Sequence, residues 1–181
     1  ADAIKEDAAA AIATMKKLGI EHIIMLTGDA QSVGEAVAKK LGISEVYSEL
    51  LPQDKVTKFE EILSRKKKNE KVAFVGDGIN DTPVLARSDI GFAMGGLGSD
   101  AAIEAADVVI MDDKPSKIGT AMQVAKDTRR IVWQNIFFAL GVKGLFLILG
   151  AFGVASMWEA VFADVGVTVI AVINAMRILN K

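Results

Sequence analysis

The sequence contains no cysteine and a single histidine, and its net charge at neutral pH is only -2. Without cysteine the chain forms neither a disulfide framework nor a thiolate metal site of its own, so any metal ligand in it must be an oxygen or a nitrogen. The near-neutral charge provides no basic face for a polyanion, and nucleic acid is excluded as a partner. No signal peptide opens the sequence, and its start at Ala1 without methionine predicts a piece cut from a longer protein.

Charged residues are scarce in the last part of the sequence. All but five of the 21 basic and 23 acidic residues lie in residues 1–130. Apolar residues make up 51% of the whole and the mean hydropathy is +0.35, which is more than a soluble domain usually shows. The composition therefore divides the chain near Arg130.

The first part of the sequence alternates between two kinds of apolar pattern. Four short unbroken apolar runs, at 23–26, 72–75, 90–94 and 108–111, predict strands buried on both faces, as in a parallel sheet. Between them, apolar residues at helical spacing predict helices over 4–18, from Val33 onward and after Pro52. This alternation predicts an α/β fold, a parallel sheet with flanking helices.

Polar residues and glycines mark where these helices begin and end. Ser32, with Glu35 three residues later, predicts a capping box at a helix that begins at Val33. Gly19 and Gly42 follow the last apolar residue of two helical patterns and predict the helix ends.

The last part of the sequence predicts two membrane-spanning helices. The stretches 131–155 and 157–179 each exceed the roughly 20 apolar residues that cross a hydrocarbon core about 30 Å thick. Residues 153–156 leave room only for a turn, so the two helices should form an antiparallel hairpin. The alternative is a hydrophobic core hairpin of a soluble protein, or a surface that binds a partner.

Basic residues lie at both outer ends of this predicted hairpin. Arg129 and Arg130 precede the first span, and Arg177 and Lys181 lie at the end of the second. The positive-inside rule places these ends, and with them residues 1–130, in the cytoplasm. We therefore expect a soluble domain over 1–116, a stalk helix over 117–130, and a hairpin in the lipid bilayer over 131–181.

Two of the predicted strands end in loops that carry acids. Thr27-Gly28-Asp29 follows the first of them, and Gly76-Asp77-Gly78-Ile79-Asn80-Asp81 follows the second. Because ligands of open α/β sheets bind outside the carboxyl ends of the strands, both loops should face one crevice. The side-chain oxygens of the second loop are of the hard kind that Mg²⁺ prefers. The sequence thus predicts a phosphate and magnesium site at this edge.

A lysine and a threonine complete the predicted crevice. Lys55 lies in the opening turn of a predicted helix, where its charge can meet a transferring phosphoryl oxygen, and Thr27 supplies a hydroxyl donor. The alternative for each residue alone is a structural role, in which Asp29 and Asp81 only cap helices and Lys55 is a surface lysine.

Three segments resemble, in order and spacing, signature motifs of the P-type ATPases, whose phosphorylation domain is haloacid dehalogenase-like. They are Met25-Leu26-Thr27-Gly28-Asp29, Leu51-Pro52-Gln53-Asp54-Lys55 and Val75-Gly76-Asp77-Gly78-Ile79-Asn80-Asp81-Thr82-Pro83. The resemblance implies part of an ATP-driven pump with Mg²⁺ as cofactor, an aspartyl-phosphate intermediate, and the pump's remaining domains as partners. It also implies the residue roles: Thr27 and Lys55 contact the phosphoryl group, Asp77 binds Mg²⁺, Asn80 and Asp81 support that cofactor site, and Asp29 with Gly28 belongs to the nucleotide-facing loop.

The sequence departs from the family pattern in what it lacks. The Asp-Lys-Thr-Gly segment whose aspartate is phosphorylated is missing, and Asp113-Lys114-Pro115-Ser116 is better explained as a link from a strand to a helix. The nucleotide-binding domain, which binds most of the ATP, is missing too, so this chain alone should not hydrolyse ATP. Two alternatives stay open: a membrane-tethered haloacid dehalogenase-like phosphatase, and a membrane-anchored module that senses Mg²⁺ or nucleotide.

The two predicted spans resemble the last helices of the zinc- and cadmium-transporting subgroup. An intramembrane charge costs roughly 2.5–3.5 kcal/mol on insertion scales, so Lys143 and Asp164 should have a reason to be there. We interpret Asp164 as a ligand of the transported Zn²⁺, Cd²⁺ or Pb²⁺, and Lys143 as its counter-ion. Both lie roughly 20 Å along a helix from the cytoplasmic boundary, hence at one depth. The resemblance further implies an inner-membrane location and thiolate ligands on an earlier helix outside this chain.

Overall fold

The computed structural model describes residues 4–76, 79–95, 100–154 and 156–180. The chain divides into two compact units, Ala1–Thr120 and Ala121–Lys181. The elements of the first unit are α1 (Ala8–Lys17), β1 (Ile24–Leu26), α2 (Gln31–Leu41), β2 (Glu45–Tyr47), α3 (Pro52–Arg65), β3 (Ala73–Gly76), a 3₁₀ helix (Ile79–Asp81), α4 (Thr82–Leu85), β4 (Ile90–Met94), α5 (Asp100–Ala105), β5 (Val108–Ile110) and the start of α6 (Ser116–Ala151). The second unit contains the rest of α6, α7 (Met157–Met176) and a 3₁₀ helix (Arg177–Asn180).

Each strand of the described chain pairs with a parallel neighbour. β1 pairs with β2, and β4 lies between β3 and β5 with Phe92 opposite both Val75 and Val108. The strands form two separate parallel ladders, β1–β2 and β3–β4–β5, rather than one continuous sheet. This confirms the predicted parallel α/β class, and the observed bounds of the four predicted strands differ from the predicted ones by no more than one residue at either end. β2 was missed because Val46 is the one aliphatic residue in it, too little to form an apolar run.

The burial of the strands is less complete than their apolar runs predicted. Residues 91–94 of β4 are buried, as expected for a strand with a neighbour on each side. In contrast, β3 lies at the edge of its three-stranded ladder, and Val75 is 41% exposed. The expectation of burial on both faces therefore holds for β4 and is wrong for β3.

Helix α3 packs against β3 through its aromatic side chain. Phe59 is buried and meets Phe74 edge to face, with 5.5 Å between ring centroids and 73° between ring planes. Residues four apart lie on one face of a helix, so the contact turns Lys55 toward the same strand. Pro52 at the first helical position fixes where α3 begins, as predicted.

The predicted start of α2 was wrong, whereas the predicted end was right. The helix begins at Gln31 with Ala30 as N-cap, no side-chain cap is formed, and Glu35 accepts a hydrogen bond from Gln31 rather than forming a capping box with Ser32. The earlier start accompanies the burial of Gly34, where a Cβ atom would collide with Ser48 Oγ. At the other end, Gly42 is left-handed with φ +70°, as a C-terminal glycine should be.

Helix α6 starts at a cap from a distant part of the first unit. The backbone N–H of Ser116 donates to Asp7 Oδ2 at 3.0 Å. The side-chain and backbone hydrogen bonds from Ser116 lower the pKa of Asp7, and a carboxylate at a helix N-terminus also stabilises the helix dipole. The link 111–115 joins β5 to this helix, so Asp113 lies in a connection, as predicted.

The second unit is an antiparallel pair of long helices. Both are apolar enough to cross a membrane, with window hydropathies of 1.7 and 1.8, and 0% and 6% of those windows are buried. A core hairpin of a soluble protein would bury these apolar surfaces, so this alternative does not fit. The turn contains Gly153 with φ +69°, and the Ser156 N–H donates to Glu159 Oε2 at 2.7 Å at the start of α7.

The contact between α6 and α7 follows a repeat of three and four residues. The less exposed positions that follow this repeat are Asn135, Ala139, Val142, Phe146 and Leu149 on α6, and Ala160, Ala163, Val167, Ala171 and Asn174 on α7. This spacing is that of a left-handed coiled-coil seam. The alanines of α7 allow the two backbones to approach closely, as is common between membrane helices.

Candidate functional site

A cleft of ≈ 350 Å³ opens at the carboxyl ends of β1 and β3 in the first unit. Its walls come from the loops predicted to face one crevice and from the helices beside them. The lining residues are Lys5, Leu26, Thr27, Lys55, Val75, Gly76, Asp81, Met94, Pro115 and Ile118. The structure therefore brings together three side chains that the sequence singled out, namely those of Thr27, Lys55 and Asp81.

Backbone hydrogen bonds hold Thr27 at the end of β1. Its N–H donates to the carbonyl of Tyr47 at 2.9 Å, and its own carbonyl accepts from the N–H of Leu50 at 3.1 Å. The hydroxyl donates to Asp29 Oδ2 at 2.7 Å and accepts from the Asp29 N–H at 3.1 Å. The Thr27 hydroxyl is thus oriented by its own loop, and Gly28 between them lies against Leu50, where a Cβ atom would be 3.3 Å from the carbonyl oxygen.

Lys55 and Asp81 form a shielded ion pair inside the cleft. Lys55 Nζ lies 3.0 Å from Asp81 Oδ1, and their side chains are 19% and 10% exposed. Lys55 is in the first turn of α3, where the Leu51 N–H also donates to Asp54 Oδ2 at 3.1 Å. Side chains this shielded lose most of their hydration, so each charge needs a partner. Lys55 and Asp81 compensate each other, and the pair adds no net charge to the cleft.

The side chain of neither acid forms the helix cap that the alternative interpretation proposed. The N-cap of α2 is Ala30, not Asp29, and Asp81 occupies the N-cap position of α4 without a side-chain cap hydrogen bond. Asp81 instead points at Lys55, and Asp29 at the hydroxyl of Thr27. Their side chains are therefore available for roles in the cleft.

Gly76 is required by the close approach of Asp81. A Cβ atom on Gly76 would lie 2.7 Å from Asp81 Cβ and 3.1 Å from Asp81 Oδ2. Any larger residue would push the carboxylate away from its place beside Lys55. The glycine at the end of β3 thus shapes the site without contributing a side chain.

Two further predicted residues have different outcomes. Asn80 lies on the 3₁₀ helix Ile79–Asp81 and is exposed, next to the buried Asp81. Asp77, the predicted Mg²⁺ ligand, lies outside the described residues. Within the described part of the chain no group of three or more histidine and acidic side chains is close enough to hold a metal ion.

Part of the cleft wall comes from residues that no sequence pattern singled out. Lys5, Met94, Pro115 and Ile118 line the site although none belongs to the three motifs. Lys5 Nζ also pairs with Asp113 Oδ1 at 2.7 Å. Lys5, Pro115 and Ile118 come from the two ends of the first unit and Met94 from the end of β4, and only their juxtaposition in the fold could reveal them.

The hairpin brings its two intramembrane charges together. Lys143 Nζ on α6 lies 2.9 Å from Asp164 Oδ1 on α7, and the side chains are 57% and 55% exposed. Their common depth was expected from the sequence, whereas the direction in which each points could not be. The pair leaves about half of each side chain accessible on one side of the hairpin.

Comparison with known proteins agrees with this architecture. Residues 1–89 match the family described as haloacid dehalogenase-like hydrolase, which is the class that the parallel sheet and its cleft define. The chain is 69% identical over 180 residues to a cadmium, zinc and cobalt-transporting ATPase of Bacillus subtilis (strain 168), covering 99% of this chain and 26% of that protein. It is 57% identical over 178 residues to a zinc-transporting ATPase of Synechocystis, covering 98% and 24%.

A solved structure shows the same arrangement over almost the whole chain. A zinc-transporting PIB-type ATPase in its E2.Pi state superposes with a TM-score of 0.88 at 39% identity, covering 98% of this chain and 28% of that one. The chain belongs to the P-type ATPases and spans about a quarter of the length of the curated relatives it matches. Its two apolar helices are membrane-spanning segments of a multi-pass membrane protein.

Proposed function

We propose that this chain is the part of an ATP-driven, Mg²⁺-dependent pump that completes the phosphoryl-transfer site and supplies two helices of the transport path. The cargo we propose is Zn²⁺ or a similar divalent cation such as Cd²⁺ or Pb²⁺. One observation supports this most directly: a single chain combines a phosphoryl-type cleft with the Lys143–Asp164 pair in a membrane hairpin. The relatives named as zinc- and cadmium-transporting ATPases support the choice of cargo.

In the cleft, the described side chains suit a phosphoryl group. When its proton turns away from Asp29 Oδ2, the Thr27 hydroxyl can donate to one phosphoryl oxygen. The ammonium group of Lys55, 3.0 Å from Asp81 Oδ1, can face a second phosphoryl oxygen. Positioning and charge compensation of this kind make up most of the catalysis of phosphoryl transfer. The phosphorylated aspartate and the nucleotide-binding domain would be supplied by the rest of the pump.

The described part of the cleft offers Mg²⁺ one carboxylate, that of Asp81, which pairs with Lys55. The buried carboxylate of Asp81 is a hard oxygen ligand in a space that Gly76 keeps open, and Asp77 would add a second carboxylate. When bound there, Mg²⁺ would neutralise charge on the phosphoryl oxygens. We assign Asn80 and Asp81 to the support of this cofactor site, and Asp29 Oδ2 holds the Thr27 hydroxyl at 2.7 Å until a phosphoryl group takes its place.

In the hairpin, Asp164 is the ligand that we propose for the transported ion. A carboxylate in a membrane is costly unless its charge is compensated, and Lys143 at 2.9 Å compensates it. An ammonium group has no lone pair and cannot itself ligate a metal. Lys143 therefore competes with the cation for Asp164, which favours release of the ion after transport.

The orientation follows from the basic residues at the outer ends of the hairpin. Arg129, Arg130 and Arg177 lie at these ends, which we assign to the cytoplasm together with the first unit. The lipid bilayer and the other domains of the pump are then its partners.

The test uses the full-length protein in sealed vesicles with radiolabelled ATP. We expect acid-stable phosphoenzyme that depends on both Mg²⁺ and Zn²⁺, together with uptake of Zn²⁺. Hydrolysis of simple phosphate esters without any phosphoenzyme that responds to a metal would instead support a tethered phosphatase and overturn the proposal.

A further inference from the structure

A second set of polar contacts joins the two membrane helices, apart from the ion pair. Asn174 Nδ2 on α7 donates to Asn135 Oδ1 on α6 at 2.8 Å, and Asn135 Nδ2 donates to the carbonyl of Ala171 at 3.0 Å. Gln134 Oε1 accepts from Asn174 Nδ2 at 3.5 Å, the limit for a hydrogen bond. We call Gln134, Asn135 and Asn174 the amide cluster.

The amide cluster fixes the rotation of α7, because one of its acceptors belongs to the backbone. A side chain can follow its partner by changing rotamer, whereas the carbonyl of Ala171 moves only with the helix. Arg177 Nη1 donates to Asn174 Oδ1 at 3.0 Å and holds that amide from its own helix. Asn135 and Asn174 are the less exposed members of the cluster and lie on the seam between the helices.

Helix geometry connects the cluster to the ion pair. Lys143 lies eight residues beyond Asn135, and Asp164 ten residues before Asn174, about 12 and 15 Å along their helices. At about 100° per residue, each charge is turned by about 80° from the seam, and in an antiparallel pair both turns lead to the same side. The charges therefore meet on a flank of the hairpin, in agreement with their exposures of 57% and 55%.

A contact on the flank is sensitive to helix rotation. The carboxylate of Asp164 lies roughly 5–6 Å from its helix axis, so a rotation of about 20° moves it by about 2 Å. Such a movement breaks the contact of 2.9 Å at the present rotamer of Lys143. Packing along the seam, which has only small alanine side chains on much of α7, resists this rotation weakly.

We propose that Asn135 and Asn174 are positioning residues that set the rotation of α7 and thereby hold Asp164 within reach of Lys143. They touch neither charge and act through the helix. For transport this inference rests on the proposed function of Asp164, whereas the geometric part stands by itself.

The geometric part is tested on the full chain in a membrane without any metal. A membrane-permeant carbodiimide activates the Asp164 carboxylate, and attack by the neutral amine of Lys143 forms an amide while the reagent leaves as its urea. Mass spectrometry of the linked peptides measures the yield. We expect at least a several-fold lower yield in the double variant Asn135→Leu and Asn174→Leu, whose apolar side chains preserve insertion into the bilayer. An unchanged yield would overturn the inference.

The functional part is tested in the full-length pump by zinc-stimulated ATP hydrolysis. Asn174→Ala should lower kcat several-fold with a smaller change in the half-saturating Zn²⁺ concentration, as expected for Lys143→Ala, because Asp164 keeps its carboxylate and loses only its counter-ion. Gln134→Ala, which removes only the 3.5 Å contact, serves as the control and should change kcat by less than about two-fold.

A purely structural role is distinguished by combining variants. If Asn174 acts through the ion pair, its effect and that of Lys143→Ala are not additive, because either change alone separates Asp164 from its counter-ion. Effects on kcat that multiply, or an unchanged kcat in Asn174→Ala, would overturn the inference. A parent pump that zinc does not stimulate would instead refute the proposed function, and the cross-linking yield would still decide the geometry.

Discussion

Replacement of Lys55 by methionine tests the electrostatics of the cleft. Methionine keeps the length and the apolar stem of lysine and removes its charge, so the buried carboxylate of Asp81 loses its partner at 3.0 Å. The same change removes the positive charge that we place against the phosphoryl group. We therefore expect both the stability of the first unit and phosphoenzyme formation to fall.

The distance and burial of the pair determine the expected magnitude. Two unit charges 3.0 Å apart attract each other by about 5 kcal/mol at an effective dielectric constant of 20. Most of this attraction is offset by the cost of removing both groups from water. When Lys55 is deleted, the buried carboxylate of Asp81 is left without its donor. The expected loss in the free energy of unfolding is therefore about 1–3 kcal/mol.

Hydrogen exchange of the amides in β3 and β4 measures this loss locally. The free energy of opening should fall by about 1–3 kcal/mol in Lys55→Met. Lys58→Met is the matched control on the same helix, since Lys58 pairs with Glu61 at 2.6 Å at a more exposed position, and it should cost no more than about 1 kcal/mol. Equal losses in the two variants, or full phosphoenzyme formation in Lys55→Met, would refute the reasoning.

Three further predictions concern other parts of the chain. Gly76→Ala should lower phosphoenzyme formation by at least about 10-fold and destabilise the first unit by about 1–3 kcal/mol, since the new methyl group would lie 2.7 Å from Asp81 Cβ. Rapid acid quench measures phosphoenzyme formation, and hydrogen exchange measures the stability. Asp89 has a pKa well below its usual range because it accepts hydrogen bonds from Lys66 and from the Val72 N–H. The stability that this carboxylate contributes is therefore present above pH 4 and is lost as the pH falls further. Asp89→Asn should flatten the decline of thermal stability below pH 4. A reporter fused after Lys181 should face the cytoplasm in a membrane-impermeant labelling assay.

Each of these three predictions has a contradicting result. A fully active Gly76→Ala variant would mean that the loop relaxes around the methyl group. Identical acid melting profiles for Asp89→Asn and the parent would show that this carboxylate adds nothing to stability at neutral pH. A label that reaches the Lys181 fusion from outside would contradict the hairpin orientation.

The strands and the cleft were largely predictable because they depend on local patterns. Unbroken apolar runs specified four strands, and the position of two acid-bearing loops after such strands specified one shared cleft. β2 was not predictable, since a run around Val46 is too short to stand out. It is paired because β1 offers a parallel edge, which is a property of the tertiary structure.

Contacts between distant residues were beyond the sequence patterns. The Asp7 cap on α6 joins residues 109 positions apart, and nothing near either one signals it. The start of α2 was wrong because the local capping motif of Ser32 and Glu35 does not form; the helix begins at Gln31, whose side chain donates to Glu35. In the hairpin, depth could be counted along the sequence, whereas helix rotation depends on contacts such as that of Asn135 with Ala171.

The central claim is that Asp164 is a ligand of the transported cation and Lys143 its counter-ion. The most direct measurement is the amount of Zn²⁺ bound per full-length pump at equilibrium, for the parent, Asp164→Ala and Lys143→Ala, together with zinc-stimulated ATP hydrolysis. The account predicts that Asp164→Ala loses both bound zinc and stimulation, whereas Lys143→Ala keeps bound zinc and turns over more slowly because release is impaired. Unchanged zinc binding in Asp164→Ala would show that this carboxylate is not a ligand and would contradict the account.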